Sequence, residues 1–392
     1  MKKAIQFGAG NIGRGFTTQL FVESGYEVVF VDVVDAVVDL INERRSYPIE
    51  IVGDNAETVI IKNVRAVNGK DREAVAREIS DADLICTAVG VNVLKHVAPP
   101  IAMGIKMRAD AGIETPINIL ICENLIHASN ILRGYILEAL PAEYEEYVKT
   151  HVGLVESVVS RMVPIMTEEQ RAIDPLLVCV EDYKKLPVDK RGFIGEIPQI
   201  VGMMPYDNLE GYVERKLFTH NLAHAAAGYL GYLRGYEYVW QAVGDDVVLS
   251  KLRAALSETG VALIEKWGFA PEDHQAHIED LLHRFANVAL GDTCARVGKD
   301  PIRKLGLNDR VIGGANLALS YDIKPINVAL VAAAGLVYDN VEDAAAVEIQ
   351  KIIKEEGLDA VFERICGIDP KGELADLIRC QIEAVKTDDW AK

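Results

Sequence analysis

Short apolar runs punctuated by glycine and acidic turns open the chain. Ala4 to Phe7 and Glu27 to Val31 read as strands, and Phe16 to Glu23 between them is patterned as a helix, which together make a βαβ unit. Asp35 to Arg44 carries apolar residues at helical spacing, while Leu84 to Val89 and Ile117 to Cys122 are continuous apolar runs of the kind buried on both faces. Helices alternating with such strands predict an α/β fold built on a Rossmann-type, doubly wound parallel sheet. From about Leu209 the texture changes: Ala, Leu and Glu dominate, and Trp240 to Lys266 and Asp273 to Leu290 repeat at three and four residues. The charged, turn-prone stretch from Lys184 to Gly192 separates the two textures. The expected organisation is a Rossmann domain over 1–190 and a mainly α-helical domain over 191–392.

The turn after the first strand reads Gly8-Ala9-Gly10-Asn11-Ile12-Gly13 and leads straight into the first helix. Gly8 suits a tight turn, Gly10 leaves the backbone bare for a pyrophosphate, and Gly13 lets helix and strand pack closely. The helix start adds free N–H groups and a positive dipole end. Asp32, at the end of the second strand, is placed to accept hydrogen bonds from both ribose hydroxyls and to repel a 2′-phosphate. Val33 and Val34 bring no cation to neutralise one, so NAD is expected rather than NADP, and the first domain is expected to bind it. Thr87-Ala88-Val89-Gly90, at a later strand end, reads either as lining for the cofactor through Val89 or as plain loop packing.

Charge and cysteine usage narrow the classes. The 392 residues include 59 acidic and 41 basic side chains, a net charge of −18, which repels nucleic acid and anionic membrane surfaces. An anionic substrate would therefore need a local cluster of Arg and Lys. The six cysteines form no CxxC pair, as in a reducing cytoplasm, and the opening lacks the apolar core of a signal peptide. The longest apolar stretch, Val328 to Tyr338, is far short of the roughly 20 residues that cross a bilayer. Monomer and small homo-oligomer both remain open.

Hydride transfer needs a group to take the alcohol proton and donors for the developing alkoxide. Zinc is not expected to supply them. The cysteines have no zinc spacing, and His274, His277 and His283 sit among acidic residues in what reads as an exposed helix. Lys216, Asn221 and His224 instead fall within an arc of roughly 140° on a regular helix. A lysine among apolar walls and beside a nicotinamide cation can act as a base near neutral pH, and Asn221 can donate to an oxyanion. Spacing alone also fits a snorkelling surface lysine, a helix-face amide and a satisfied core histidine.

Lys216, Asn221 and His224 match a KxxxxNxxH pattern that resembles the polyol-specific long-chain dehydrogenases, the mannitol dehydrogenase family. Cys122-Glu123-Asn124-Leu125 is similar to that family's strand-end segment, and Phe7 to Phe16 resembles its members acting on sugar-alcohol phosphates. The likeness continues through Leu177 to Glu181 and Lys299 to Leu305. It implies a Rossmann domain followed by a helical domain and a metal-free oxidation of a sugar-alcohol phosphate to a keto-sugar phosphate. It also implies Lys216 as general base, Asn124 and Asn221 as an oxyanion hole, and His224 orienting the substrate. A sibling activity on an unphosphorylated polyol, or on a hexonate such as altronate or mannonate, would use the same machinery. A non-catalytic sensor of NAD redox state is the reading from another class.

A substrate phosphate wants paired cations, and Arg303, Lys304 and Arg310 cluster in one Gly- and Pro-marked segment. Lys184 and Lys185 compete for that role. Their stretch, Asp182 to Lys185, is more basic than the resemblance leads one to expect.

Overall fold

The computed structural model describes residues 1–125, 127–164, 166 and 168–391, with Arg171 through its backbone alone. The chain divides into two compact units, Met1–Leu209 and Glu210–Lys392.

Among the described residues the first unit holds eleven strands: β1 (Lys2–Phe7), β2 (Tyr26–Asp32), β3 (Ser46–Val52), β4 (Glu57–Lys62), β5 (Val64–Asn68), β6 (Leu84–Thr87), β7 (Ile117–Ile121), β8 (Val152–Glu156), β9 (Val178–Glu181), β10 (Leu186–Asp189) and β11 (Met203–Tyr206). Six of them make one parallel sheet in the order β5-β2-β1-β6-β7-β8. This is a doubly wound order whose direction of winding reverses between β1 and β6. Successive residues of each strand enter different cores. Ala4, Val28, Phe30 and Cys86 face one, together with β3 and β9, while Ile5, Val29, Val31 and Ile85 face the other, beneath the helices Arg72–Ser80 and Leu94–Asp110. Burial on both sides is why these strands read as unbroken apolar runs.

A second sheet, β4-β3-β9, lies against the start of the first helix: a Cβ added to Gly15 would meet Val178 and Val180 side chains at 2.8 and 2.9 Å. The sequence reading picked out neither β3 nor β4. The boundary also falls later than the charged stretch implied. β10 pairs with β11, Ser157 bridges to Val188, and Gly192 is so tight on β8 that a Cβ there would lie 2.5 Å from the Leu154 carbonyl oxygen. Residues 184–192 are therefore stitched into the first unit.

The second unit is helical. Its centre is Leu222–Leu233, buried nearly all round, with Gly228 and Gly231 admitting the neighbouring helices Cys294–Gly298 and Val239–Gly244 at backbone distance. The run of helical spacing from Trp240 to Lys266 falls into two helices, because Asp245 caps a new one, Asp246–Trp267, by accepting the Val247 and Val248 amides. The helix Pro271–Phe285 corrects another reading: His274 is 2 % exposed, close beneath Gly260 and stacked with Phe269, so it is core and not solvated surface.

Candidate active site

In the first unit the candidate residues collect at the carboxyl ends of the parallel strands. Backbone bonds tie those ends together, from Gly8 N–H to Val31 O, Ala88 N–H to Phe7 O and Cys122 N–H to Thr87 O, at 2.9, 3.0 and 2.9 Å. Gly8 has φ +89°, and a Cβ on Gly13 would lie 2.0 Å from the Gly8 carbonyl oxygen, so the loop closes only with glycine at both positions. At Gly10 the loop is exposed and a Cβ would meet nothing within 4 Å, which leaves its outer side bare for a ligand. Asn11 is exposed and Ile12 half-buried beside it. Gly13–Thr17 is π-helical; the Thr17 hydroxyl lies 3.3 Å from the Gly13 carbonyl oxygen and donates to Gln6 Oε1 at 2.6 Å.

Asp32 is half-buried and already braces the loop, accepting Ala9 N–H at 2.7 Å and Val34 N–H at 3.0 Å. Val89 and Asn124 follow β6 and β7, with Val89 half-buried and Asn124 exposed. Between these ends stands a residue that the sequence reading quoted but gave no part: Glu123, 9 % exposed, accepts both the Val89 and Gly90 amides at 2.8 Å.

In the second unit Lys216 and Asn221 begin and end a π-helical segment, Lys216–Asn221, that runs into Leu222–Leu233. The wider i→i+5 turn brings residue five over residue zero, so Lys216 and Asn221 point closer together than the arc of a regular helix allows. The Thr259 hydroxyl donates to the Phe218 carbonyl at 2.8 Å and so supports the irregular backbone. Lys216 is half-buried, and burial, followed by the field of Arg310, pushes its amine down to about 8. The His224 ring stacks on Phe285 with centroids 4.2 Å apart, and its Nε2 lies 3.8 Å from Asp292 Oδ2. Burial, then the positive fields of Arg296, Arg310, Arg284 and Lys304, lowers this imidazole to about 3. It is neutral at any working pH.

Those causes describe a concentration of cations around His224, of which Arg310 also acts on Lys216. Arg310 and Lys304 are both buried, and burial with the charges of Arg310 and Arg303 lowers the Lys304 amine to about 7. A Cβ added to Gly313, one turn beyond Arg310, would lie 3.1 Å from the Phe218 ring, so this segment packs against the π-helical one. Arg303 does not join them on equal terms. Its guanidinium is half exposed and engaged by Asp300 at 2.9 Å and Asp309 at 3.6 Å, whereas that of Arg310, itself paired with Asp309 at 2.8 Å, is buried. Lys184 is in the first unit, paired with Glu23 at 2.9 Å. Arg284, Arg296 and Asp292 escaped the sequence reading because nothing local marks them. Among the described residues no group of three His, Cys, Asp or Glu is placed to hold a metal ion, and no helix is long and apolar enough to cross a membrane.

Residues 2–202 match the family described as the mannitol dehydrogenase Rossmann domain, and residues 208–384 match the mannitol dehydrogenase C-terminal domain. The chain belongs to the mannitol dehydrogenase family. Membership makes it an oxidoreductase. Among relatives of this family, the mannitol-1-phosphate 5-dehydrogenase of Brevibacillus brevis is 39 % identical over 388 residues, 99 % of each chain. Two solved structures share the fold. Pseudomonas fluorescens mannitol 2-dehydrogenase, in a ternary complex with NAD and D-mannitol, is 18 % identical with a TM-score of 0.73, over 99 % of this chain and 92 % of that one. Substrate-free D-sorbitol dehydrogenase is 16 % identical with a TM-score of 0.83, over 99 % and 94 %.

Proposed function

We propose that this member of the mannitol dehydrogenase family catalyses the reversible, NAD-dependent oxidation of D-mannitol 1-phosphate to D-fructose 6-phosphate, as a mannitol-1-phosphate 5-dehydrogenase. The observation that carries the reading is a lysine amine lowered to about 8 by burial and by the field of buried Arg310, with Lys304 buried in the same unit, in a chain whose net charge is −18. An anionic substrate is drawn to such a spot against the global field, and a neutral amine is available there to take a proton.

When bound, NAD supplies the hydride acceptor. The first unit would hold it: Gly8 to Gly13 would cradle the pyrophosphate through bare backbone and the helix start, Asp32 would take the ribose hydroxyls, and Val89 would line the nucleotide site. The fit rests on the open outer side of the loop at Gly10 and on the half-buried Asp32 carboxylate. The second unit supplies substrate binding and the base. Lys216 Nζ removes the C5 hydroxyl proton as hydride leaves that carbon, and Asn221 and Asn124 donate to the oxygen as charge builds on it. Neutral His224, held by its stack on Phe285, orients the substrate through a hydrogen bond without adding charge. Lys304 and Arg310 take the phosphate, with Arg303 at the outer edge. No step calls for a metal, and the six cysteines, none in a disulfide, suit a reducing cytoplasm.

The test is an NADH-linked assay on fructose 6-phosphate, fructose and fructuronate. The expected result is turnover of the phosphate with kcat/KM at least about a hundredfold above the other two. Equal rates on all three would overturn the substrate assignment and leave a sibling polyol or hexonate activity standing. No NADH consumption with any of them would turn the reading towards a nucleotide sensor.

A further inference from the structure

We propose that Glu123 is a positioning residue for this reaction: its carboxylate clamps the Val89–Gly90 turn to the strand end that carries Asn124, and so sets the nucleotide loop and the oxyanion donor at a fixed separation. The inference rests on the functional reading above and adds a residue to it.

Three observations meet at this side chain. Both carboxylate oxygens are used, one on Val89 N–H and one on Gly90 N–H, each at 2.8 Å, and the residue is 9 % exposed. The turn it holds is one that does not hold itself: Gly90 has φ +90°, and its amide and that of Val89 lie beyond the last paired residues of β6. The held turn also bears on the glycine loop. A Cβ on Gly8 would be 2.4 Å from the Ala88 carbonyl oxygen and 3.2 Å from Val89 Cγ1, so Ala88 and Val89 form the wall against which Gly8 closes. A shift at Val89 therefore reaches the pyrophosphate loop on one side and, through Glu123, Asn124 on the other.

A carboxylate is the group that fits. Two amide donors converge on it and two acceptor oxygens meet them, each bond strengthened by the charge. A glutamine of the same shape offers one acceptor, and its NH2 would face the second amide donor to donor. The turn would then lose one tie and be pushed off the other.

The experiment is a fluorescence titration of NADH into the parent and into E123Q, followed by steady-state assay with fructose 6-phosphate and a thermal melt. E123Q is expected to weaken NADH binding about tenfold and to lower kcat severalfold at saturating nucleotide, with KM for fructose 6-phosphate within about twofold of the parent. E123D keeps both oxygens on a shorter stem and is expected to recover part of the loss. A folded E123Q that binds NADH as the parent does, whatever its melting temperature, overturns the inference and leaves the functional reading intact. A parent that binds no NADH overturns the functional reading and this inference with it. Should neither variant fold, hydrogen exchange on the parent decides: added NADH is expected to slow the amides of 88–90, and unchanged exchange there overturns the clamp.

Discussion

The candidate site of the first unit offers backbone, at a loop that closes only because Gly8 and Gly13 lack side chains; that of the second offers charge, from long side chains brought in by three helices and a loop. Backbone recognition depends on a conformation, and it is lost when a side chain fills the loop. Charge recognition depends on a field, and it declines by degrees as each cation is removed. The two units should therefore respond differently to substitution, and that contrast can be tested in order of expected effect.

The largest change should come from Lys216→Met, which is expected to reduce kcat by about 10³-fold or more, in the range of losing a general base. The same substitution should stabilise the second unit. Burying an ammonium is a cost that is present in full below the lowered value of about 8 and disappears only above the ordinary lysine value, so at neutral pH methionine removes it. A gain of about 2 kcal/mol in a denaturant melt, alongside lost turnover, separates this lysine from a solvated one; an unchanged melt and unchanged rate would end its role as base. In the parent, polyol phosphate oxidation should rise as pH climbs through about 8, where the amine becomes neutral. Fructose 6-phosphate reduction should fall through the same range, because it needs the protonated form.

Next, Arg310→Gln is expected to raise KM for fructose 6-phosphate about a hundredfold. It should also move the pH midpoint for oxidation upward, since the Arg310 field is one of the two causes that lower Lys216. A raised KM without the pH shift would place Arg310 on the phosphate but away from the base. Asp32→Ser, on the backbone side of the comparison, is expected to raise KM for NAD by about ten- to thirtyfold and to narrow the preference over NADP, because the carboxylate braces Ala9 and, on the proposed reading, would repel a 2′-phosphate. Smallest of all, Arg303→Ala should change KM for the phosphate substrate by about twofold or less, its guanidinium being engaged by Asp300 and Asp309. A tenfold rise would put Arg303 at the centre of the cluster.

The same contrast explains what the sequence made legible. A backbone site is contiguous, so Gly8 to Gly13 and the strand preceding them could be read as a string, and the helix at Asp35–Arg44 could be read to its ends. A charge site is assembled. Arg284, Arg296, Lys304 and Arg310 are scattered across three helices and a loop, and only packing around Leu222–Leu233 brings their fields to His224. Strand β3 did carry a period-two signal, with Tyr47, Ile49 and Ile51 buried and their neighbours half-exposed, but the short polar turn before β4 hid the hairpin. His274 was misread because its acidic neighbours describe the outer face of a helix whose inner face it occupies. Glu123 stood in plain view beside Asn124; nothing in a string of letters tells that two amides from another strand end converge on it.

The widened turn from Lys216 to Asn221 holds, in effect, one residue more than a regular helix would fit into the same length. Spacing and rotational phase are thereby coupled: five residues apart, the amine and the amide share a side only because the turn is widened, since five steps of a regular helix would set them roughly 140° apart. A single residue lost between Lys216 and Asn221 would let the coil relax to its ordinary pitch with the flanking helix turned only a little, since the surplus residue is what the widened turn absorbs. Such a deletion would leave the apolar packing largely satisfied and remove the widened turn alone, so its cost to turnover would report what the extra residue does.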